Sequence, residues 1–294
     1  MQIKNVDRIN VFREVGDKVF TLEEIQSQYK IDPAGTNFYF GINQINLDNF
    51  NATGTALNPT AQGFFARLQA SLAASPDDEK TLQLGVEPAT DEPQPYAFVT
   101  AHLDMVKQLA ADLAAEQDKA RANGKRLTIA VRYASEMNDG SQAQGNNPTG
   151  YKTTFAQVRH VFAEAAPAIP LSFSPALRAD LPEALIGQYW PGDDLVDLIG
   201  GTWYIGAPSQ HAASVANMRK YFLHRTGAGK PFALSEMGGC DTLPNKKGKN
   251  NDAVLESMFH ELEALQIQNV SFKYVTVFLA SKWGDDATLE FLRS

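Results

Sequence analysis

Two glutamates in this chain stand where a pair of carboxyl groups could do acid–base and nucleophilic work. Glu136 closes the run Leu127-Thr-Ile-Ala-Val-Arg-Tyr-Ala-Ser-Glu-Met-Asn138, and Glu236 closes the shorter run Pro231-Phe-Ala-Leu-Ser-Glu-Met-Gly238. An apolar stretch rich in β-branched residues that delivers an acid and then turns polar is how a parallel strand presents a reactive group at its C-terminal end. Cleaving a glycosidic bond with retention needs two such carboxyls about 5–5.5 Å apart, one protonated to assist the leaving oxygen and one ionised to attack the anomeric carbon. They need not be neighbours in sequence, because the strand ends of a barrel converge. Arg132 and Asn138 accompany Glu136 as polar groups able to hold a substrate or tune the carboxyls. Tyr204, at the end of another apolar run, is placed to hydrogen-bond Glu236, and Glu87 ends a further strand in the same way. An acid at a strand end also occurs simply as a solvated cap, so the two glutamates need further support.

The elements that must position these residues follow from hydrophobic spacing. Runs at 9–12, 37–43, 81–87, 127–133, 169–174, 196–204, 232–235 and 270–279 read as strands. Between them, helical spacing appears over 60–74, 97–122, 153–165, 212–224 and 253–265, with a shorter helical turn after Pro182. A further helix start lies at Thr21-Leu-Glu-Glu24, where Thr21 and Glu24 match a capping box. Asn123-Gly124 supplies a stop for the long helix. Residues 139–149, rich in Gly, Asn and Gln, are expected to form a solvent-facing loop. Strand and helix alternating about eight times in roughly 250 residues predicts parallel strands with crossover helices, a (β/α)8 barrel in one domain spanning 1–294. A doubly wound sheet is the alternative, but no glycine-rich phosphate turn follows the first strand.

Bulk properties narrow the partners. The 294 residues carry 26 Lys and Arg against 34 Asp and Glu, a net charge of −8. That balance argues against nucleic acid and anionic membranes, and no stretch approaches the length of a membrane-spanning helix. The single cysteine, Cys240, excludes an intrachain disulfide and a cysteine zinc site. The five histidines, at 102, 160, 211, 224 and 260, lack metal-ligand spacing, so no metal or other cofactor is expected. The first eight residues have no signal-peptide character. The expected location is therefore secreted or periplasmic if an export signal has been removed, and otherwise cytoplasmic.

Four segments resemble glycoside hydrolase family 26. Arg132-Tyr-Ala-Ser-Glu-Met-Asn138 is similar to the family's Arg-x-x-His-Glu-Met-Asn around its acid/base. Tyr189-Trp-Pro-Gly-Asp-Asp-Leu-Val-Asp-Leu-Ile-Gly200 is similar to its Tyr-Pro-Gly-Asp-x-x-Val-Asp segment, which leads to a strand ending in a tyrosine matched by Tyr204. Lys230-Pro-Phe-Ala-Leu-Ser-Glu-Met-Gly238 is similar to the nucleophile strand. Leu171-Ser-Phe-Ser-Pro175 and the helix with Asp104 are weaker matches. The resemblance implies Glu136 as acid/base, Glu236 as nucleophile, retention of configuration and a β-linked polysaccharide substrate such as mannan. Two departures bear on substrate. The family's histidine is Ser135 here, and the tryptophans that usually follow Met-Asn are replaced by Asp139-Gly-Ser-Gln-Ala-Gln-Gly145. Trp203 and Trp283 are alternative surfaces for stacking on sugar rings. Lys246-Lys-Gly-Lys249 could favour an acidic glycan such as a bacterial exopolysaccharide. A catalytically silent carbohydrate-binding barrel and a barrel lyase are the competing readings.

Overall fold

The computed structural model describes residues 8–15, 18–19, 22–31, 33–42, 55–75, 77–88, 93–142, 144–205, 210–241, 249–250, 252–265, 270–280 and 288–293. Eight parallel strands form the framework: β1 (Ile9–Val15), β2 (Gly35–Gly41), β3 (Glu79–Glu87), β4 (Arg126–Tyr133), β5 (Leu171–Phe173), β6 (Leu198–Ile199 continued by Thr202–Ile205), β7 (Phe232–Asp241) and β8 (Phe272–Ala280). Helices alternate with them: α1 (Leu22–Tyr29), α2 (Pro59–Ala74), α3 (Pro95–Ala101), α4 (Leu103–Ala122), α5 (Pro148–Ala165), α6 (Glu183–Tyr189), α7 (His211–His224) and α8 (Asp252–Leu265). The strands run in the sheet order β7-β8-β1-β2-β3-β4-β5-β6, with β6 also pairing with β7. This is the (β/α)8 fold expected from the alternation.

The chain divides into two compact units, one of Met1–Asn37, Pro175–Ile186 and Leu198–Ser294, the other of Phe38–Ser174 and Gly187–Asp197. In the second, β3 and β4 pair in unbroken register from Glu79↔Arg126 to Val86↔Tyr133, and β4 continues to β5 through Val131↔Leu171. Both strands are buried along almost their whole length, as a parallel sheet covered on both faces requires. The covering helices are fixed by local chemistry. Asn58 accepts the Ala61 N–H at the start of α2, Asn147 accepts the Gly150 N–H at the start of α5, and a proline follows each cap. Helix α4 turns Val106, Leu109, Ala110 and Leu113 inward and ends at Gly124, whose φ of 71° suits glycine.

In the first unit, β8 lies between β1 and β7. The β1 pairing runs from Ile9↔Val275 to Glu14↔Ala280, and β7 then meets β6 through Thr202↔Glu236 and Tyr204↔Gly238. Phe222 of α7 packs edge-on against Phe232 of β7 and Phe272 of β8, tying a helix to two strands.

Three elements differ from the spacing-based expectation. The long helix over 97–122 is broken at His102, where φ −127° and ψ 40° leave the helical region and the ring Nδ1 lies 2.8 Å from the Phe98 carbonyl. Apolar periodicity passes through such a break because both halves bury the same side. The strand over 196–204 is interrupted at Gly200-Gly201; a methyl carbon at Gly201 would come within 2.6 Å of the Leu177 side chain. The run over 169–174 keeps only three residues of strand. The Thr21 cap lies outside the described residues.

Gly85 shows how tightly β3 is packed. A methyl carbon there would sit 2.4 Å from Tyr39 Cδ1, so Gly85→Ala is expected to lower unfolding free energy by about 1–3 kcal/mol through overpacking. Gly63→Ala on α2, where the nearest such atom is the end of the Arg67 side chain at 3.6 Å, should be stabilising by about 0.5–1 kcal/mol. Urea titrations of the two variants check the opposite signs.

Candidate active site

Glu236 lies inside β7, not at its end. The strand continues five residues beyond it to Asp241 and is joined there by the antiparallel pair Lys249–Asn250. The β7–β8 register shifts twice, once between Phe272 and Tyr274 and once beside Glu236. Leu234 opposes Val275 and Met237 opposes Val277, so three steps along β7 match two along β8. The extra residue is a bulge at Ser235-Glu236, which re-aims a side chain out of the regular alternation. Nothing in the residue types announces it.

The Glu236 carboxyl is 8% exposed and accepts a hydrogen bond from the Tyr204 hydroxyl at 2.8 Å on Oε2. A carboxylate removed from water needs such a donor to stay ionised. Tyr204 is oriented in turn by Phe278, which meets its ring edge-on at 6.2 Å. Below them, Asn37 donates to the Ser235 carbonyl at 3.1 Å and accepts from the Thr276 hydroxyl at 3.3 Å, all three residues being fully buried. This cross-link holds β2, β7 and β8 beneath the bulge.

Glu136 is half-buried just beyond β4, in a backbone bent sharply twice: Ala134 has φ 48° and Glu136 φ 52°. Left-handed geometry at residues with a Cβ persists only where surroundings enforce it. The Ala134 N–H donates to the Val86 carbonyl at 2.9 Å and the Glu136 N–H to the Ser174 carbonyl at 3.1 Å, so both bends are anchored to flanking strand ends. Gln142 Nε2 donates to Glu136 Oε2 at 3.2 Å.

The remaining site candidates take varied positions. Arg132 is fully buried, its guanidinium donating to the Tyr39 hydroxyl at 3.4 Å. Ser135 donates to Glu87 Oε1, and Gln144 Nε2 reaches both Glu87 Oε2 at 3.1 Å and the Ser135 carbonyl at 3.0 Å. Glu87 and Ser135 are thus engaged with each other. Asn138 is buried. Trp203 is a correction: it is 0% exposed, and its indole N–H donates to Ser214 of α7 at 2.9 Å. A ring sealed against a helix offers no face to a sugar. Strand alternation accounts for it, since Trp203 and Tyr204 occupy opposite faces of β6. Trp283 and residues 242–248 lie outside the described residues.

The loop after Asn138 is also corrected. It is not simply solvent-facing: Asp139 and Gln144 are buried. Among the described residues, no group of three or more His, Cys, Asp or Glu is placed to hold a metal, and no helix is long and apolar enough to cross a membrane. Three of the histidines contact residues three or four positions away, His102 with Phe98, His160 with Glu164 and His260 with Glu263, and His224 contacts Glu183.

Tyr204 and Glu236 form a pair whose coupling is measurable. Removing the donor from a buried charged acceptor costs about 1–3 kcal/mol. A double-mutant cycle of Tyr204→Phe and Glu236→Leu, read by urea unfolding at neutral pH, should return a coupling of about 1–3 kcal/mol. Additive single-variant effects would show that the contact contributes nothing.

No protein-family model matches the chain, and no curated protein matches it. Solved structures do. A family 26 β-mannanase from Bacteroides ovatus shares 17% identity over 94% of this chain and 82% of its own, with a TM-score of 0.63. An endo-β-1,4-mannanase double mutant from Cellulomonas fimi shares 15% over 99% of this chain and 70% of its own, at 0.70. A family 26 protein of a Muricauda species shares 16% over 96% and 80%, at 0.68. Across nearly its full length, then, this divergent chain has the (β/α)8 fold seen in glycoside hydrolase family 26 structures.

Proposed function

We propose that the protein is a retaining, endo-acting glycoside hydrolase of the family 26 type, cleaving a β-linked polysaccharide with Glu236 as nucleophile and Glu136 as acid/base. The observation that carries the reading is Glu236 itself: a buried glutamate set in a strand bulge and held by a tyrosine hydroxyl at 2.8 Å. A structural carboxylate has no need of a bulge; a nucleophile needs its oxygen aimed. Tyr204 donates to one carboxyl oxygen, Oε2, and so fixes the orientation of the carboxyl.

In the first step, a Glu236 oxygen attacks the anomeric carbon while the Glu136 carboxylic acid gives its proton to the departing glycosidic oxygen. The products are a glycosyl ester on Glu236 and the departing saccharide, which now ends in a free hydroxyl. In the second, Glu136, now a carboxylate, takes a proton from water as that water attacks the anomeric carbon and frees Glu236. Two inversions leave the configuration unchanged. Arg132, buried and fully charged at any working pH, donates to the Tyr39 hydroxyl and is the cationic candidate on β4. Asn138 is the remaining polar candidate for sugar contact. The substrate is a β-mannan or a related polysaccharide such as a bacterial exopolysaccharide.

A catalytically silent sugar-binding barrel is the second reading. Ser135, occupied with Glu87, and a loop without tryptophan after Asn138 favour it.

A panel of β-mannans, β-glucans, β-xylans and acidic exopolysaccharides, with reducing-end detection and identification of the first-formed anomer by proton NMR, separates the readings. The expected result is cleavage of one class with the β-anomer released first. Glu136→Gln and Glu236→Gln should each lower kcat by about 100-fold or more, in the range of lost acid–base catalysis, while far-UV circular dichroism stays that of wild type. Binding without cleavage supports the silent barrel, and an unsaturated product sugar identifies a lyase.

A further inference from the structure

The segment after Glu136 is a chain of turns that folds back on its own beginning. The Asp139 N–H donates to the Glu136 carbonyl at 2.8 Å, the Gln142 N–H to the Asp139 carbonyl at 3.0 Å, and the Gly145 N–H to the Gln142 carbonyl at 2.9 Å. Asp139 Oδ1 also accepts from the Ser141 N–H at 3.0 Å. The spiral is tight enough that a Cβ at Gly145 would fall 2.2 Å from the Asp139 carbonyl oxygen. Its far end is pinned by Gln144, 2% exposed, whose amide reaches Glu87 and the Ser135 carbonyl while the Tyr96 hydroxyl donates to its own carbonyl at 3.0 Å. Held at both ends, the spiral carries the Gln142 amide to the Glu136 carboxyl.

We infer that Gln142 is a positioning residue for Glu136, and that Glu87, Ser135 and Gln144 form the clamp that keeps it in reach. This inference rests on the acid/base role proposed above. An acid/base group alternates between carboxylic acid and carboxylate, so its partner must serve both states. A glutamine amide does so: Nε2 donates to the carboxylate, as found, and a half-turn of the amide presents Oε1 to accept from the acid. A lysine or an aspartate in that place would favour one state throughout the cycle. Ser135, turned toward Glu87, leaves this role to the loop.

The charged groups around the turn are Arg132 and Glu87 on the strand ends and Asp139 in the loop, with Glu236 as the second carboxyl of the proposed reaction; the variants below alter none of them. The primary test needs no substrate. In protein labelled with carboxyl-13C glutamate, the signal lost in Glu136→Gln identifies Glu136, and its pH titration is followed in Gln142→Leu and Gln142→Glu. Loss of the N–H donor in Gln142→Leu removes an interaction that favours the ionised form, so the midpoint moves up. In Gln142→Glu a second carboxylate stands in reach, and the upper step of the pair moves up further, by about one unit or more. On the polysaccharide that wild type cleaves, Gln142→Leu is expected to lower kcat about tenfold or more with KM little changed, and Gln142→Glu to shift the basic limb of kcat/KM upward. Unmoved midpoints in both variants overturn the inference, even if activity falls, because a residue that serves only the folding of the loop leaves the Glu136 titration where it is. Shifted midpoints alongside an active Glu136→Gln would instead uphold the contact and sink the acid/base reading, so the two failures are distinguishable.

Discussion

A carboxylate can be taken out of water only where donors replace the water, and the first unit is built around that constraint at Glu236. Its partner is a tyrosine on the adjacent strand, so the contact depends on β6 and β7 being in register, with Thr202 opposite Glu236 and Tyr204 two residues on. A one-residue slip would turn Tyr204 away and bring the indole of Trp203 into its place. The register is secured from outside by Trp203, sealed against Ser214 of α7, and from inside by the Asn37–Ser235–Thr276 network. Each of these groups is buried, and each would cost free energy if unpaired. The polar interior of the sheet therefore fixes strand register, a task that apolar packing alone, being non-directional, performs less sharply.

The second unit solves a different problem with different means. Glu136 lies past the end of its strand, where no ladder of parallel hydrogen bonds can hold it. Its position is set by two left-handed residues, two backbone hydrogen bonds to neighbouring strand ends and a spiral of turns closed by Gln144. Such a segment carries little apolar burial, and its order rests on satisfied polar groups. Glycine is required where the spiral closes on Asp139. An aromatic layer, with Tyr151 packed among Tyr96, Tyr133, Phe155, Phe173 and Tyr189, adjoins it through the Tyr96 hydroxyl bond to Gln144. Burial drives the Tyr96 and Tyr133 hydroxyls well above the ordinary phenol range, so this layer stays uncharged across any pH at which carboxyl chemistry operates.

How much of this was legible in the sequence divides along a physical line. Strand and helix alternation was readable because burial on both faces of a parallel strand leaves an apolar run, as at Leu82, Leu84 and Val86 or Ile129 and Val131. Glu136 and Glu236 stood out because each interrupts such a run. The period-two rule across Thr202-Trp-Tyr204 separates the buried Trp203 from Tyr204. The helix break at His102 was hidden because both halves keep one apolar side. The bulge at Ser235-Glu236 and the reach of Gln142 to Glu136 were hidden for a stronger reason. Both depend on which residue meets which across the fold, and one residue more or less in a strand leaves no trace in composition.

The same line separates reaction from substrate. What aims Glu236 is strand register, a register shift and a neighbouring hydroxyl, all set by how β6, β7 and β8 pair in this chain. What meets a sugar belongs to segments beyond the strand ends, where a fold places few constraints on side chains. Between Asn138 and Pro148 this chain has no aromatic residue. It uses Gln142 and Gln144 to organise carboxyl groups instead of presenting a flat apolar face. On the proposed function, a glycan beside this loop meets side-chain amides and carboxyls there instead of an aromatic ring.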